Sequence, residues 1–224
     1  MAGSTLKGRT VNLAAETTAP YLIAILRGLT PAKAEDVGRC LYDAGLRTME
    51  VPLNSPEPLQ TITTLRKGLP ADATIGAGTV ITATQVRQCH QAGAQIIVSP
   101  NTNTDVITET VRHGKGSFPG AATPSEAFAA IGAGAKFVKI FPAEQVGIAG
   151  LKAWTAVVPQ EIGLIPVGGI DASNIGAWLK AGATGFGIGS ALYKPGIAVE
   201  DLRQRAVCMT VALESALTSS RTSA

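Results

Sequence analysis

Ala133-Gly134-Ala135-Lys136-Phe137-Val138-Lys139-Ile140-Phe141-Pro142-Ala143-Glu144 contains a helix ending at its Ala-Gly pair and then an apolar run that reads as a buried strand. In the middle of that run stands Lys139. A lysine is rarely buried without a partner, and burial lowers its pKa, which makes the amine a nucleophile toward carbonyl carbon at neutral pH. The alternative is that the Lys139 stem packs while its ammonium reaches water. The pattern around the stretch separates these readings.

The Ala-Gly pair recurs. Ala44-Gly45, Ala92-Gly93, Ala133-Gly134 and Ala181-Gly182 each close a helical pattern just before an apolar run, at spacings of 48, 41 and 48 residues. Glycine suits a left-handed helix end, and each spacing is the length of two βα units. Short Ile- and Val-rich runs alternating with helical segments predict eight strands, near 21–27, 46–51, 73–78, 94–98, 116–119, 135–141, 164–168 and 184–188. Thr30-Pro31, Ser55-Pro56 and Thr123-Pro124 read as helix starts, and Thr82/Gln85 and Thr123/Glu126 have capping-box spacing. Eight such units predict a closed (β/α)8 TIM barrel over residues 20–218. A short leader helix is expected within 1–19 and a tail over 219–224.

The repeat also sets a register. Five residues beyond each glycine stand Glu50, Val98, Lys139 and Gly187, which should therefore share one depth and one face. Strands two and six lie opposite each other in an eight-stranded barrel, so a carboxyl and an amine are expected to project into one interior layer. Gly187 leaves room between them. A buried ion pair that merely braces the barrel is the plainer reading, but such pairs gain little net stability after desolvation, so chemistry is the better account.

Composition excludes other classes. The chain has 46% apolar residues, 16% charged residues and 25 glycines, which suits a globular enzyme-like domain. A net charge of +3 and 4% aromatic content give neither a basic stripe nor a base-stacking surface, so no nucleic-acid partner is expected. No apolar run reaches the roughly 18 residues of a membrane span. Cys40, Cys89 and Cys208 are odd in number and widely spaced, and no signal-peptide pattern opens the chain, which points to a reducing cytoplasm. His90 and His113 form no metal-ligand spacing, so no metal is expected.

The remaining strand ends supply recognition chemistry. Val167-Gly168-Gly169 ends strand seven and Gly187-Ile188-Gly189-Ser190 ends strand eight, where backbone N–H groups of such barrels often meet phosphate. Tight turns alone would explain either run singly. Arg27 ends strand one, and Gly76-Ala77-Gly78-Thr79 ends strand three; a guanidinium and a hydroxyl there would suit a carboxylate. Arg27 as a rim charge and Thr79 as a helix cap are the structural alternatives.

These motifs, with Ile25-Leu26-Arg27-Gly28, Glu50-Val51-Pro52-Leu53, Val98-Ser99-Pro100 and Phe118-Pro119-Gly120, resemble the 2-keto-3-deoxy-6-phosphogluconate and 2-keto-3-deoxy-6-phosphogalactonate aldolases over about residues 20–215. The resemblance implies a metal-free, cofactor-free class I aldolase in which Lys139 forms a Schiff base with pyruvate and Glu50 moves protons. It further implies that Arg27 and Thr79 meet the pyruvyl end and that Gly168, Gly169, Gly189 and Ser190 hold the phosphate. A phosphorylated keto-deoxy sugar acid, pyruvate and glyceraldehyde 3-phosphate would be the small-molecule partners, and a homotrimer the assembly. Two departures resemble the galactonate branch. The gluconate pattern Glu-Val-Thr-Leu-Arg-Thr is replaced here by Glu50-Val51-Pro52-Leu53-Asn54-Ser55, and the threonine that commonly precedes the paired glycines is Val167. Gluconate or dual specificity, and a phosphosugar-binding barrel without catalysis, are the alternative readings.

Overall fold

The computed structural model describes residues 22–222, so the leader helix expected within 1–19 lies outside the described residues. Strand and helix alternate along the chain. The order is β1 (Leu22–Ile25), α1 (Pro31–Asp43), β2 (Thr48–Pro52), α2 (Pro58–Gly68), β3 (Thr74–Gly78), α3 (Ala83–Gln91), β4 (Ile96–Val98), α4 (Thr104–Arg112), β5 (Gly116–Phe118) and β6 (Gly120–Ala121). It continues with α5 (Pro124–Gly132), β7 (Phe137–Ile140), α6 (Ala143–Trp154), β8 (Gly163–Pro166), α7 (Ile175–Lys180), β9 (Phe186–Ile188) and α8 (Val199–Thr222). The boundary expected at residue 218 falls inside α8.

All strand pairs are parallel, as crossover helices require. The ladders form a six-stranded sheet ordered β5-β4-β3-β2-β1-β9 and a three-stranded sheet ordered β6-β7-β8, nine strands where the sequence predicts eight. The break falls at Pro119, between β5 and β6. Proline has no N–H for the ladder, so the predicted strand at 116–119 divides there, although the Pro119 carbonyl still accepts from the Lys139 N–H at 2.9 Å. Between β8 and β9 the link is a single parallel bridge, Val167 to Gly187, with Thr184 N–H donating to the Leu164 carbonyl at 2.9 Å. The fold is thus a parallel-stranded α/β architecture with strands inside and helices outside.

Apolar residues fill both sides of the strands. The larger core lies between strands and helices and includes Met49, Ile75, Val138 and Phe186. A smaller inner cluster holds Ile23, Ile96, Val98, Phe118, Phe137, Ile165 and Val167, with the Phe118 and Phe137 rings stacked at 4.5 Å. Burial on both faces is why these strands read as continuous apolar runs rather than as alternating ones.

The helix ends account for the repeat. After α1, α3, α5 and α7, the glycine of each Ala-Gly pair has positive φ (96°, 93°, 101° and 106°). In each case the glycine N–H bonds three residues back and the next N–H five residues back, as in Gly134 to Ile131 and Ala135 to Ala130. This is the Schellman arrangement, which satisfies carbonyls left open at a helix end and turns the chain into the strand. Gly114 makes the same turn after α4 without a preceding alanine. At the helix starts, Thr82 and Thr123 form the expected capping boxes. The predicted start at Ser55-Pro56 is displaced: α2 begins at Pro58 after Glu57, and the Ser55 hydroxyl instead accepts from the Gly28 N–H at 2.9 Å. Ser55 has the residue type and spacing of a cap, but its partner is distant in sequence.

Two substitutions separate backbone conformation from packing. At Gly134 an added Cβ meets nothing closer than Val111 at 3.5 Å, so Gly134→Ala should cost about 1–2 kcal/mol through its left-handed φ alone. Gly132→Ala, with nothing nearby, should instead stabilise α5 by about 0.5–1 kcal/mol. Denaturant unfolding of both variants checks the opposite signs.

Candidate active site

The strand register brings the ionisable pair together. Glu50 in β2 and Lys139 in β7 are 3% and 8% exposed, and both reach the inner cavity that Val98 and Gly187 also border. The four residues predicted to share one depth therefore line one space. Lys136, three residues before Lys139, is exposed.

Above them opens a cavity of about 710 Å³. It is lined by Glu50 and Lys139, and by Arg27, Thr79, Val167, Gly168, Gly169, Gly189 and Ser190. All nine positions singled out from the sequence thus border one space, drawn from the ends of six strands. The helix-cap alternative for Thr79 fails, because Thr82 caps α3 while Thr79 sits at φ 58° on the cavity wall.

The electrostatics follow from burial. Desolvation pushes the Glu50 carboxyl up to about 7, against the opposing pull of the Lys139 and Arg27 charges. Lys139 is lowered, first by desolvation and also by Arg27, while Glu50 acts in the other direction. Each group is thus moved toward the pH range in which it can exchange protons. The Lys139 amine lies 4.2 Å from the centre of the Phe141 ring. Glu50 Oε2 is buried without a hydrogen-bond partner among the described residues, an expensive condition for a carboxyl unless a ligand uses it. Gly78 makes the space: a Cβ there would collide with the Glu50 carboxyl.

Further residues shape the wall beside these nine. Asn54 accepts a hydrogen bond from Arg27 Nη1. Lys194 and Asp171 also border the cavity, and Asp171 Oδ1 is engaged by Ser173 N–H at 2.8 Å and Oγ at 2.5 Å. Those bonds hold the Asp171 carboxyl below its ordinary range. Asn174 Nδ2 donates to the Gly169 carbonyl at 2.7 Å, and its Oδ1 accepts from Asp171 N–H at 3.1 Å, bracing the glycine turn. For two of them position was a signal: Asn54 follows Glu50 by four residues and Lys194 follows Ser190 by four. Among the described residues no group of three or more His, Cys, Asp or Glu side chains could hold a metal ion, and no helix is long and apolar enough to cross a membrane.

Parallel strands ending in a cavity that joins a buried amine to a buried carboxyl define an α/β enzyme whose site suits carbonyl chemistry. The family model for KDPG and KHG aldolases matches residues 14–207, and the chain belongs to that family. It is 43% identical over 194 residues to the probable 2-dehydro-3-deoxy-6-phosphogalactonate aldolase of Rhizobium meliloti (strain 1021), covering 87% of this chain and 92% of that one. Identity to the 2-dehydro-3-deoxy-6-phosphogalactonate aldolase of Escherichia coli (strain K12) is 42% over 196 residues, covering 88% and 96%. The solved native KDPGal structure superposes with a TM-score of 0.88 at 41% identity, covering 91% of this chain and 98% of that one.

The raised carboxyl has a consequence for stability. Between the ordinary value of 4.5 and about 7, the folded protein keeps a proton on Glu50 that the unfolded chain has lost. Stability is therefore lost as pH rises through that window, by up to about 1.4 kcal/mol per unit. Denaturant midpoints of wild type and Glu50→Gln should lie closest near pH 4.5 and separate toward pH 7, with wild type falling behind. A wild type that gains on the variant over this range would contradict the assignment.

Proposed function

We propose that the protein is a class I aldolase that reversibly cleaves 2-dehydro-3-deoxy-6-phosphogalactonate to pyruvate and glyceraldehyde 3-phosphate. The observation that carries this reading is the joint burial of Lys139 and Glu50 in one cavity, each displaced toward neutral pH. The two galactonate-aldolase relatives, similar over nearly the whole chain, support the substrate.

In this mechanism the Lys139 amine adds to the keto carbon, and Glu50 transfers protons as the carbinolamine forms and loses water. A base takes the proton of the hydroxyl on the carbon β to the iminium, the bond between the α and β carbons breaks with its electron pair passing to the iminium, and the fragment that carried the hydroxyl leaves as glyceraldehyde 3-phosphate. The enamine that remains is protonated on carbon, and water releases pyruvate from Lys139. Arg27 binds the carboxylate and Thr79 the pyruvyl end. The turns at Gly168, Gly169, Gly189 and Ser190 take the phosphate, which suits backbone N–H groups unobstructed by side chains. A phosphosugar-binding barrel without catalysis would have no use for the buried Glu50 oxygen that lacks a partner.

The same reading joins the two sheets into a closed (β/α)8 barrel through Pro119 and the Val167–Gly187 bridge, supported by the cavity that all nine positions share. The domain expected over residues 20–218 corresponds to this barrel, with α8 running past that boundary to Thr222. A homotrimer working in the cytoplasm without metal or cofactor completes the reading, on the strength of the family.

Incubation with pyruvate and borohydride should leave a reduced adduct on Lys139, located by peptide mass spectrometry. An adduct on Lys136, or none, would overturn the assignment. A second measurement addresses the epimer. Val167 is buried on the cavity wall, and a threonine there would offer a hydroxyl to a substrate hydroxyl. Val167→Thr should raise relative kcat/KM for the gluconate epimer by about fivefold or more, since an unpaired buried hydroxyl costs about 1–3 kcal/mol. An unchanged ratio would remove Val167 from the stereochemical account.

A further inference from the structure

Arg27 is exposed at the cavity mouth, and among the described residues the hydrogen-bond partner of its guanidinium is the Asn54 side-chain oxygen. No ion pair with an acidic side chain is found for it among the described residues. The choice of partner has chemical content. An aspartate at position 54 would hold the guanidinium equally well and cancel its charge. An amide oxygen holds it and leaves the full positive charge for a ligand.

Holding is needed because an exposed arginine otherwise samples many rotamers, which reduces the fraction aimed at any ligand. The backbone around Arg27 is tied to the same segment. Leu26 N–H donates to the Glu50 carbonyl at 2.9 Å, and Gly28 N–H donates to Ser55 Oγ at 2.9 Å. Residues 50–55 therefore carry the proton-transfer carboxyl, fix the backbone on both sides of Arg27, and grip its side chain through Asn54. Both Arg27 and Asn54 border the cavity with Glu50 and Lys139, and the Arg27 charge is near enough to act on both.

We propose that Asn54 is a positioning residue, which holds the Arg27 guanidinium at the cavity mouth so that its remaining N–H groups meet the carboxylate of the keto acid. The role rests on the aldolase reading above. It acts through Arg27, so its removal should matter only while Arg27 is present.

The experiment is a double-mutant cycle with steady-state kinetics on the phosphorylated keto acid. Asn54→Leu should raise KM about tenfold or more while kcat stays within about threefold, the scale of losing the hold on one charged hydrogen bond. Asn54→Asp, which keeps the acceptor but neutralises the charge, should also raise KM. In an Arg27→Met background, Asn54→Leu should add less than about twofold. Asn54 is exposed, and equal melting temperatures would verify that the variants are folded. An effect of Asn54→Leu that persists in full without Arg27, or a KM unchanged in the single variant, overturns the role of Asn54 and leaves the aldolase reading standing. A wild type that turns over neither epimer overturns the aldolase reading, and the role of Asn54 with it.

Discussion

Two ionisable side chains are buried together at one cavity, and much of the site's arrangement answers to the cost of putting them there. Removing Glu50 and Lys139 from water disfavours the charged form of each, so the carboxyl rises to about 7 and the amine falls. Their mutual attraction and the charge of Arg27 recover part of this cost without cancelling it. The result is a carboxyl and an amine whose proton affinities approach each other, which is the condition for moving protons between them and a bound carbonyl compound. A pair exposed to water would not be tuned in this way.

The scaffold maintains that condition by leaving space as well as by filling it. Phe118, Phe137, Ile165 and Val167 pack the interior against water, while Gly78 clears the volume that the Glu50 carboxyl occupies. Above this layer the wall changes character. Arg27 with Asn54 forms one polar side, and the turn of Gly168 and Gly169, braced by Asn174, forms another. Apolar packing sets the depth of the reactive pair, and polar bracing at the strand ends shapes the mouth.

Much of this was legible because the fold repeats itself. Each Ala-Gly pair marks a Schellman turn with the strand starting three or four residues on, so counting from the glycine placed Glu50, Val98, Lys139 and Gly187 around one space. The failures have equally local causes. Pro119 lacks the N–H that would carry the ladder through, and no periodicity argument registers one missing donor. Ser55 has the residue type and spacing of a cap, but its hydroxyl is taken by Gly28, 27 residues earlier in the chain.

The order of strands and helices, the shared level of the two ionisable residues and the glycine-rich strand ends were determined by the sequence alone, because each depends on interactions within one βα unit or on its repetition. Tertiary structure decided the division of the sheet, the engagement of Arg27 by Asn54 and the bracing of Gly169 by Asn174. It also decided how far the Glu50 and Lys139 pKa values move. Desolvation depends on every group that excludes water from the cavity, and those groups come from strands dispersed along the chain.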